Sequence, residues 1–280
     1  MLLILLMQRR QFFTTIGLDH MQWLGEGVAE IAREKAGVMR AGQRVVCADG
    51  NPEKALLECA RELGVRPWVL RSEFQVNAQE AEFEVVFSQQ TFSQLPLPKW
   101  LWGAHQLGHF AACLVVLADF FPLKREALIQ ALVHTKHAGR LMNMAFGCRD
   151  WVLDVAHNRD SAVVLAQFLA QKAVGRSVVV LCGMLADKDA VAVFEALKAQ
   201  VQRWYLVSLK TARGGDKQWL FEQALAAGVS AQACEVAEDV AQGIEMMLNH
   251  EKTQGVLYVV MGSFVTVAQA LLLMQAEREV

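Results

Sequence analysis

Five short strand-like runs, WVLDVA (151–156), SVVVLCG (177–183), RWYLVSL (203–209), AQACEV (231–236) and VLYVVMG (256–262), alternate with five longer segments whose apolar residues recur at helical spacing. Runs with little polar alternation suit strands covered on both faces, and strand followed by helix, repeated this often, closes as a parallel sheet between helical layers. Asp187, Asp189, Asp216 and Asp239 stand at or near the starts of three of the helical segments, where a carboxylate accepts orphan amides and meets the positive end of the helix. The expectation for residues 137–280 is a Rossmann-like, doubly wound α/β domain.

The first half is less regular. FFTTIGL (12–18), QRVVCA (43–48) and RPWVLR (66–71) read as strands, and GEGVAEIAREKAGVM (25–39) and PEKALLECARELG (52–64) as helices. EFEVVFSQQTFSQLPLP (82–98) alternates apolar positions and predicts a small antiparallel excursion. GAHQLGHFAACLVVLADFF (103–121) is apolar around most of its circumference, which predicts a deeply buried helix. HTKHAGRLMNMAFGCRD (134–150) has no clear period and reads as a hinge, so domains are expected at 1–136 and 137–280.

Net charge of -2 with no long basic block argues against nucleic acid as a partner. Six cysteines without a C-x-x-C pair suit a reduced, cytoplasmic protein. The apolar opening MLLILLMQRRQFF is shorter than the roughly 20 residues a membrane span needs, so no membrane partner is expected. Neither G-x-x-x-x-G-K-[ST] nor G-x-G-x-x-G occurs; in RGGDKQWL (213–220), Gln218 follows Lys217 where a hydroxyl would be required.

Several residues stand where α/β proteins place chemistry. His20 follows a strand-like run, as a metal ligand or a solvated loop residue. Lys35 sits in a helix, as a functional amine or a solvated charge. Asp154 ends a strand, as a ligand contact or a helix cap. Gly262 and Ser263 join the last strand to a helix, as anion donors or a plain turn. Trp151, Trp204 and Tyr205 read as core.

Taken in order, TTIGLDHMQWLG (14–25), IAREKAGVMRAG (31–42), HQL from His105, AGR ending at Arg140, VLDVAHN (152–158), GMLADKD (183–189) and MGSFVTVAQ (261–269) resemble successive blocks of the folylpolyglutamate synthase and dihydrofolate synthase family, relatives of the Mur ligases. The resemblance implies ATP-dependent activation of a carboxylate as an acyl phosphate, which the amino group of L-glutamate attacks, with dihydropteroate or a reduced folate as acceptor. It implies ATP and Mg²⁺ as cofactors. By position, His20 becomes a magnesium ligand and Lys35 a carbamylated lysine beside the metal. Arg140 becomes a phosphate contact, Asp154 a ribose contact and His157 a group near the phosphates. His109 stands where relatives place an adenine-contacting asparagine, Gln22 where they place an acid, and Val265 where they often place a histidine. Relatives also carry a G-T-N-G-K-G-S loop and an E-V-G-L-G-G block before T-I-G-L-D-H, whereas fourteen residues precede it here. The resemblance therefore implies a Mur-ligase-like central ATPase domain truncated at its N-terminus, then a ligase domain. Such a chain is either inactive alone or partnered by a separately encoded N-terminal fragment. A non-catalytic remnant that binds nucleotide or glutamate weakly is the other reading.

Overall fold

The structure, a computed structural model, describes residues 10–18, 24–25, 27–98, 101–135, 137–251 and 254–276. The chain divides into two compact units, residues 1–136 and 137–280. The fold class is α/β.

In the first unit β1 (Arg10–Phe13), α1 (Val28–Ala36), β2 (Arg44–Cys47), α2 (Lys54–Glu62) and β3 (Trp68–Val69) follow one another, and the strands form a parallel sheet in the order β1-β2-β3. Successive side chains of β2 point to opposite faces. Val45 and Cys47 therefore pack with Ala32, Ala36, Leu56 and Ala60 of the two crossover helices. Val46 faces the other way and joins a second cluster. That cluster draws on β4 (Phe74–Ala78), β5 (Glu82–Phe87) and β6 (Gln90–Pro96), an antiparallel sheet, and on α3 (Ala104–Leu117). Gly108 lets α3 approach closely, since a Cβ there would stand 2.8 Å from Leu70 Cδ2 and 3.0 Å from the Ala48 carbonyl oxygen. The antiparallel excursion expected from residue 82 is present and has an additional strand, β4, before it. β1 is shorter than FFTTIGL suggested and lies earlier. α3 is buried on one side only, with Cys113 and Leu117 exposed. A further helix, α4 (Arg125–His134), buries Leu128 and Leu132, one turn apart.

The second unit opens with a hairpin that the hinge reading did not contain. β7 (Met142–Phe146) pairs antiparallel with β8 (Arg149–Leu153), and Gly147 and Cys148 close the turn with φ of 55° and 54°. Two successive left-handed residues match the twist of the flanking strands. Then follow α5 (Arg159–Lys172), β9 (Ser177–Cys182), α6 (Ala190–Leu197), β10 (Arg203–Val207), α7 (Lys217–Ala226), β11 (Cys234–Ala237), α8 (Val240–His250), β12 (Val256–Met261) and α9 (Phe264–Ala276). The six strands lie in the order β11-β10-β9-β12-β8-β7, parallel except for β7. Tyr205, Val207, Tyr258 and Val260 share a cluster with Ile244 and Met247 of α8 and Val267, Ala270 and Met274 of α9. Trp204, one residue from Tyr205, faces the opposite side and meets Phe194 of α6 edge-on at 4.8 Å. Helices thus cover both faces, as the continuous apolar strands require. Trp151, Trp204 and Tyr205 are all core residues, at most 1% exposed.

Among the described residues no helix is long and apolar enough to cross a membrane. All six cysteines are free thiols, and burial pushes those of Cys47 and Cys182 up to about 12.

Candidate functional site

In a doubly wound sheet, ligands collect beyond the carboxyl ends of the strands, where the connections diverge. In the second unit the chain leaves β8 for β9 across the position that β12 later fills. The carboxyl ends of these three strands are tied together.

Asp154, one residue past β8, is 8% exposed. One carboxylate oxygen accepts the Leu141 amide at 2.8 Å and the other accepts the Ala156 amide at 2.8 Å. Burial pushes its carboxyl above the usual range, against the opposing pull of the two amides and of the nearby Arg140 and His157 charges. The adjacent Val155 amide donates to the Gly139 carbonyl at 2.9 Å. Gly139 has φ +68°, and a Cβ on it would come within 3.0 Å of Val155 and 3.1 Å of Val267. The 139–141 segment, which carries Arg140, is therefore fastened to the ends of β8 and the start of α9. Arg140 itself is exposed.

His157 Nδ1 lies 2.8 Å from the Val155 carbonyl oxygen. A carbonyl only accepts, so Nδ1 carries the proton in the neutral ring and Nε2 is the basic nitrogen. The helix that follows is capped by Asn158, whose side chain takes the Ser161 amide while Ser161 returns a bond to Asn158. Asp154 therefore does not cap α5. Arg140 and His157 bring a fixed cation and an imidazole to the surroundings of Asp154 at the end of β8, and charges of this kind complement a phosphate.

The turn from β12 to α9 is a second fastening. Thr266 Oγ1 donates to the Gly183 carbonyl at 2.6 Å, and Ser263 Oγ lies 2.7 Å from Thr266 Oγ1 while accepting the Thr266 amide at 3.0 Å. Thr266 has one hydroxyl proton, and Gly183 takes it, so Ser263 supplies the proton of the Ser263–Thr266 bond. The Ser263 hydroxyl is thus spent inside the protein. Gly262, at φ +107°, would place a Cβ 2.6 Å from the Gly183 oxygen, so its bare backbone serves the packing of β12 against the end of β9.

RGG (213–215) is likewise structural. The Gly214 amide donates to Thr211 and the Gly215 amide to Met184, while Arg213 pairs with Asp187. Asp187 is thereby committed to an ion pair; Asp189, Asp216 and Asp239 are the helix caps.

Lys35 and His109 belong to the first unit. Lys35 is half-buried in the last turn of α1. His109 lies edge-on to Phe12 at 6.4 Å and to His105 at 5.7 Å. His20 and Gln22 lie outside the described residues. Among the described residues no group of three or more His, Cys, Asp or Glu side chains is arranged to hold a metal ion. Every buried side-chain nitrogen or oxygen among the described residues has a hydrogen-bond partner. Arg140 is exposed, and its charge and that of His157 both act on Asp154. The residues missed from sequence were Leu141, Thr266 and Phe264. Ser263-x-x-Thr266 is the one that left a trace, as a hydroxyl pair one helical turn apart.

Residues 139–264 match the Mur ligase, glutamate ligase domain. The chain is 27% identical over 265 residues to the dihydrofolate synthase/folylpolyglutamate synthase of Escherichia coli K12, covering 95% of this chain and 60% of that protein. The Haemophilus influenzae protein of the same description is 27% identical over 282 residues, covering 91% and 61%. The E. coli FolC structure in complex with DHPP and ADP superposes with a TM-score of 0.85 at 25% identity, covering 96% of this chain and 62% of that one. The Yersinia pestis bifunctional enzyme complexed with AMPPNP and Mn gives 0.81 at 28% identity, covering 95% and 61%. The chain spans about 60% of the length of these relatives.

Proposed function

This chain belongs to the folylpolyglutamate synthase/dihydrofolate synthase family of the Mur ligase superfamily, and on that premise we propose that it serves ATP-dependent ligation of L-glutamate to dihydropteroate or a reduced folate. A carboxylate oxygen of the acceptor would take the γ-phosphoryl group of ATP, releasing ADP. The glutamate amine would then attack the acyl carbon, lose a proton and expel phosphate. The observation that carries this reading is the grouping of Arg140, Asp154 and His157 at the end of β8, inside the segment that matches the glutamate ligase domain.

In this reading Arg140 meets the phosphates, where its planar fork suits an oxyanion cluster. Asp154 keeps the Arg140 segment in place and meets the ribose. His157 offers Nε2 toward the phosphates, and His109 replaces an amide near adenine. Lys35, as a carbamate, and His20 would hold Mg²⁺, which would supply charge neutralisation to phosphoryl transfer. The setting is the cytoplasm.

The second part of the proposal is that the 280-residue polypeptide alone turns over negligibly, because phosphoryl transfer depends on positioned charge and no G-x-x-x-x-G-K-[ST] loop occurs in its sequence. It would then persist as a weak binder of nucleotide or glutamate. Purified protein is assayed for ADP and glutamylated folate by mass spectrometry and for ADP binding by calorimetry. Binding without product is expected. Family-like turnover by the chain alone overturns the second part, and failure to bind ADP under any condition overturns the first.

A further inference from the structure

The guanidinium carbon of Arg140 lies 5.9 Å from the centre of the Phe264 ring. Phe264 is the first residue of α9 and is 62% exposed. A large aromatic side chain left so open contributes little to the core, whereas Thr266 and Val267, just beyond it, are buried.

Both partners stand on rigid backbone. Arg140 follows Gly139, which packs against Val155 and Val267, and precedes Leu141, whose amide is held by Asp154. Phe264 follows Ser263, which the Thr266 and Gly183 bonds fix in place. The contact therefore joins two side chains whose origins are set by the same strand ends, and it costs less ordering than a meeting of two free surface chains.

Charge supplies the reason for an aromatic at this position. The amino end of α9 is positive from its aligned amides, and a guanidinium brought there is disfavoured. The negative face of an aromatic ring offsets that repulsion, within about 6 Å of the ring centre. A leucine would fill the same space without the face.

We infer that Phe264 is a positioning residue for Arg140, holding the guanidinium in one orientation toward an anionic phosphate group. This rests on the reading of Arg140 as a phosphate contact. The test uses the full chain with Phe264→Leu, which keeps apolar bulk at an exposed site, and Phe264→Tyr, which restores the ring. Proton spectra of arginine-labelled protein should show the Arg140 side-chain methylenes shifted upfield in wild type and Phe264→Tyr and returned to ordinary values in Phe264→Leu. Calorimetric titration with ADP should show about threefold to tenfold weaker binding for Phe264→Leu, the range an exposed to partly desolvated cation–π contact supports. Phe264→Tyr should bind as wild type, and in an Arg140→Ala background Phe264→Leu should add no further loss. Ring-current shifts absent from wild type or persisting in Phe264→Leu, unchanged ADP binding in Phe264→Leu, or a full additional loss in the Arg140→Ala background overturns the inference. Should wild type bind no ADP, the nucleotide reading falls, and the spectra alone decide whether the ring holds the arginine.

Discussion

Asp154 accepts the Leu141 amide at 2.8 Å across thirteen residues of sequence, so one carboxylate oxygen sets where the Arg140 segment leaves the sheet. The other oxygen takes the Ala156 amide. Asp154→Ala leaves two buried amides without acceptors, and a buried unsatisfied group costs about 1–3 kcal/mol. The expected loss is about 2–4 kcal/mol, read from urea unfolding, and Asp154→Asn, which retains one oxygen, should lose less. A loss below about 0.5 kcal/mol in Asp154→Ala would mean that the amides find other partners.

Thr266→Val keeps the side-chain shape but deletes the hydroxyl that bonds Gly183 and receives Ser263. Two buried polar groups lose a partner, with an expected cost of about 1–3 kcal/mol. Thr266→Ser keeps the hydroxyl and should cost only about 1 kcal/mol for the missing methyl. Equal unfolding midpoints for the two variants would assign the effect to packing instead.

Gly262→Ala meets two obstacles together, a left-handed backbone at φ +107° and a carbonyl oxygen 2.6 Å from the new carbon. The expected destabilisation is about 2–4 kcal/mol, combining backbone strain with overpacking. Gly175→Ala is the control: its φ is +73° with nothing within 4 Å, so only the backbone part should appear. Thermal unfolding that ranks the two alike would leave the close approach without energetic weight.

Asp239 caps α8 and is held below its ordinary 3.8 by the Gln242 amide first and by the Lys210 ammonium next. Its folded state binds a proton less readily than the unfolded chain. The ionised form therefore stabilises at pH above about 3.8, and that stabilisation is lost as pH falls through the lowered folded value. Asp239→Asn still caps but cannot ionise. Wild type should be the more stable of the two at pH 7, and the gap should close in acid. A gap that persists once the carboxyl is protonated in both the folded and the unfolded chain would require another origin.

What could be read in advance follows from burial. β9, β10 and β12 are covered on both faces, so their apolar runs are nearly unbroken and the parallel sheet was legible. β7 escaped notice because Met142, Asn143, Met144 and Ala145 have weak strand preference, and because Cys148 takes a left-handed turn position that Gly or Asn usually marks. The caps at Asp189, Asp216 and Asp239 were legible as local signals. The commitment of Asp187 to Arg213 was not, since it depends on two loops meeting. Asp154 was conspicuous as an acid at a strand end, but its bond to Leu141 and the contact of Arg140 with Phe264 are set by topology. No spacing along the chain encodes them.

The strand order carries a consequence for biosynthesis. β12, made after the other strands of this sheet, lies between β9 and β8, which are made long before it. While translation proceeds, the two halves of this sheet have no common neighbour to bridge them. Folding of the second unit must therefore wait for β12 to emerge, and until then the facing edges of β8 and β9 stay open for chaperones to shield.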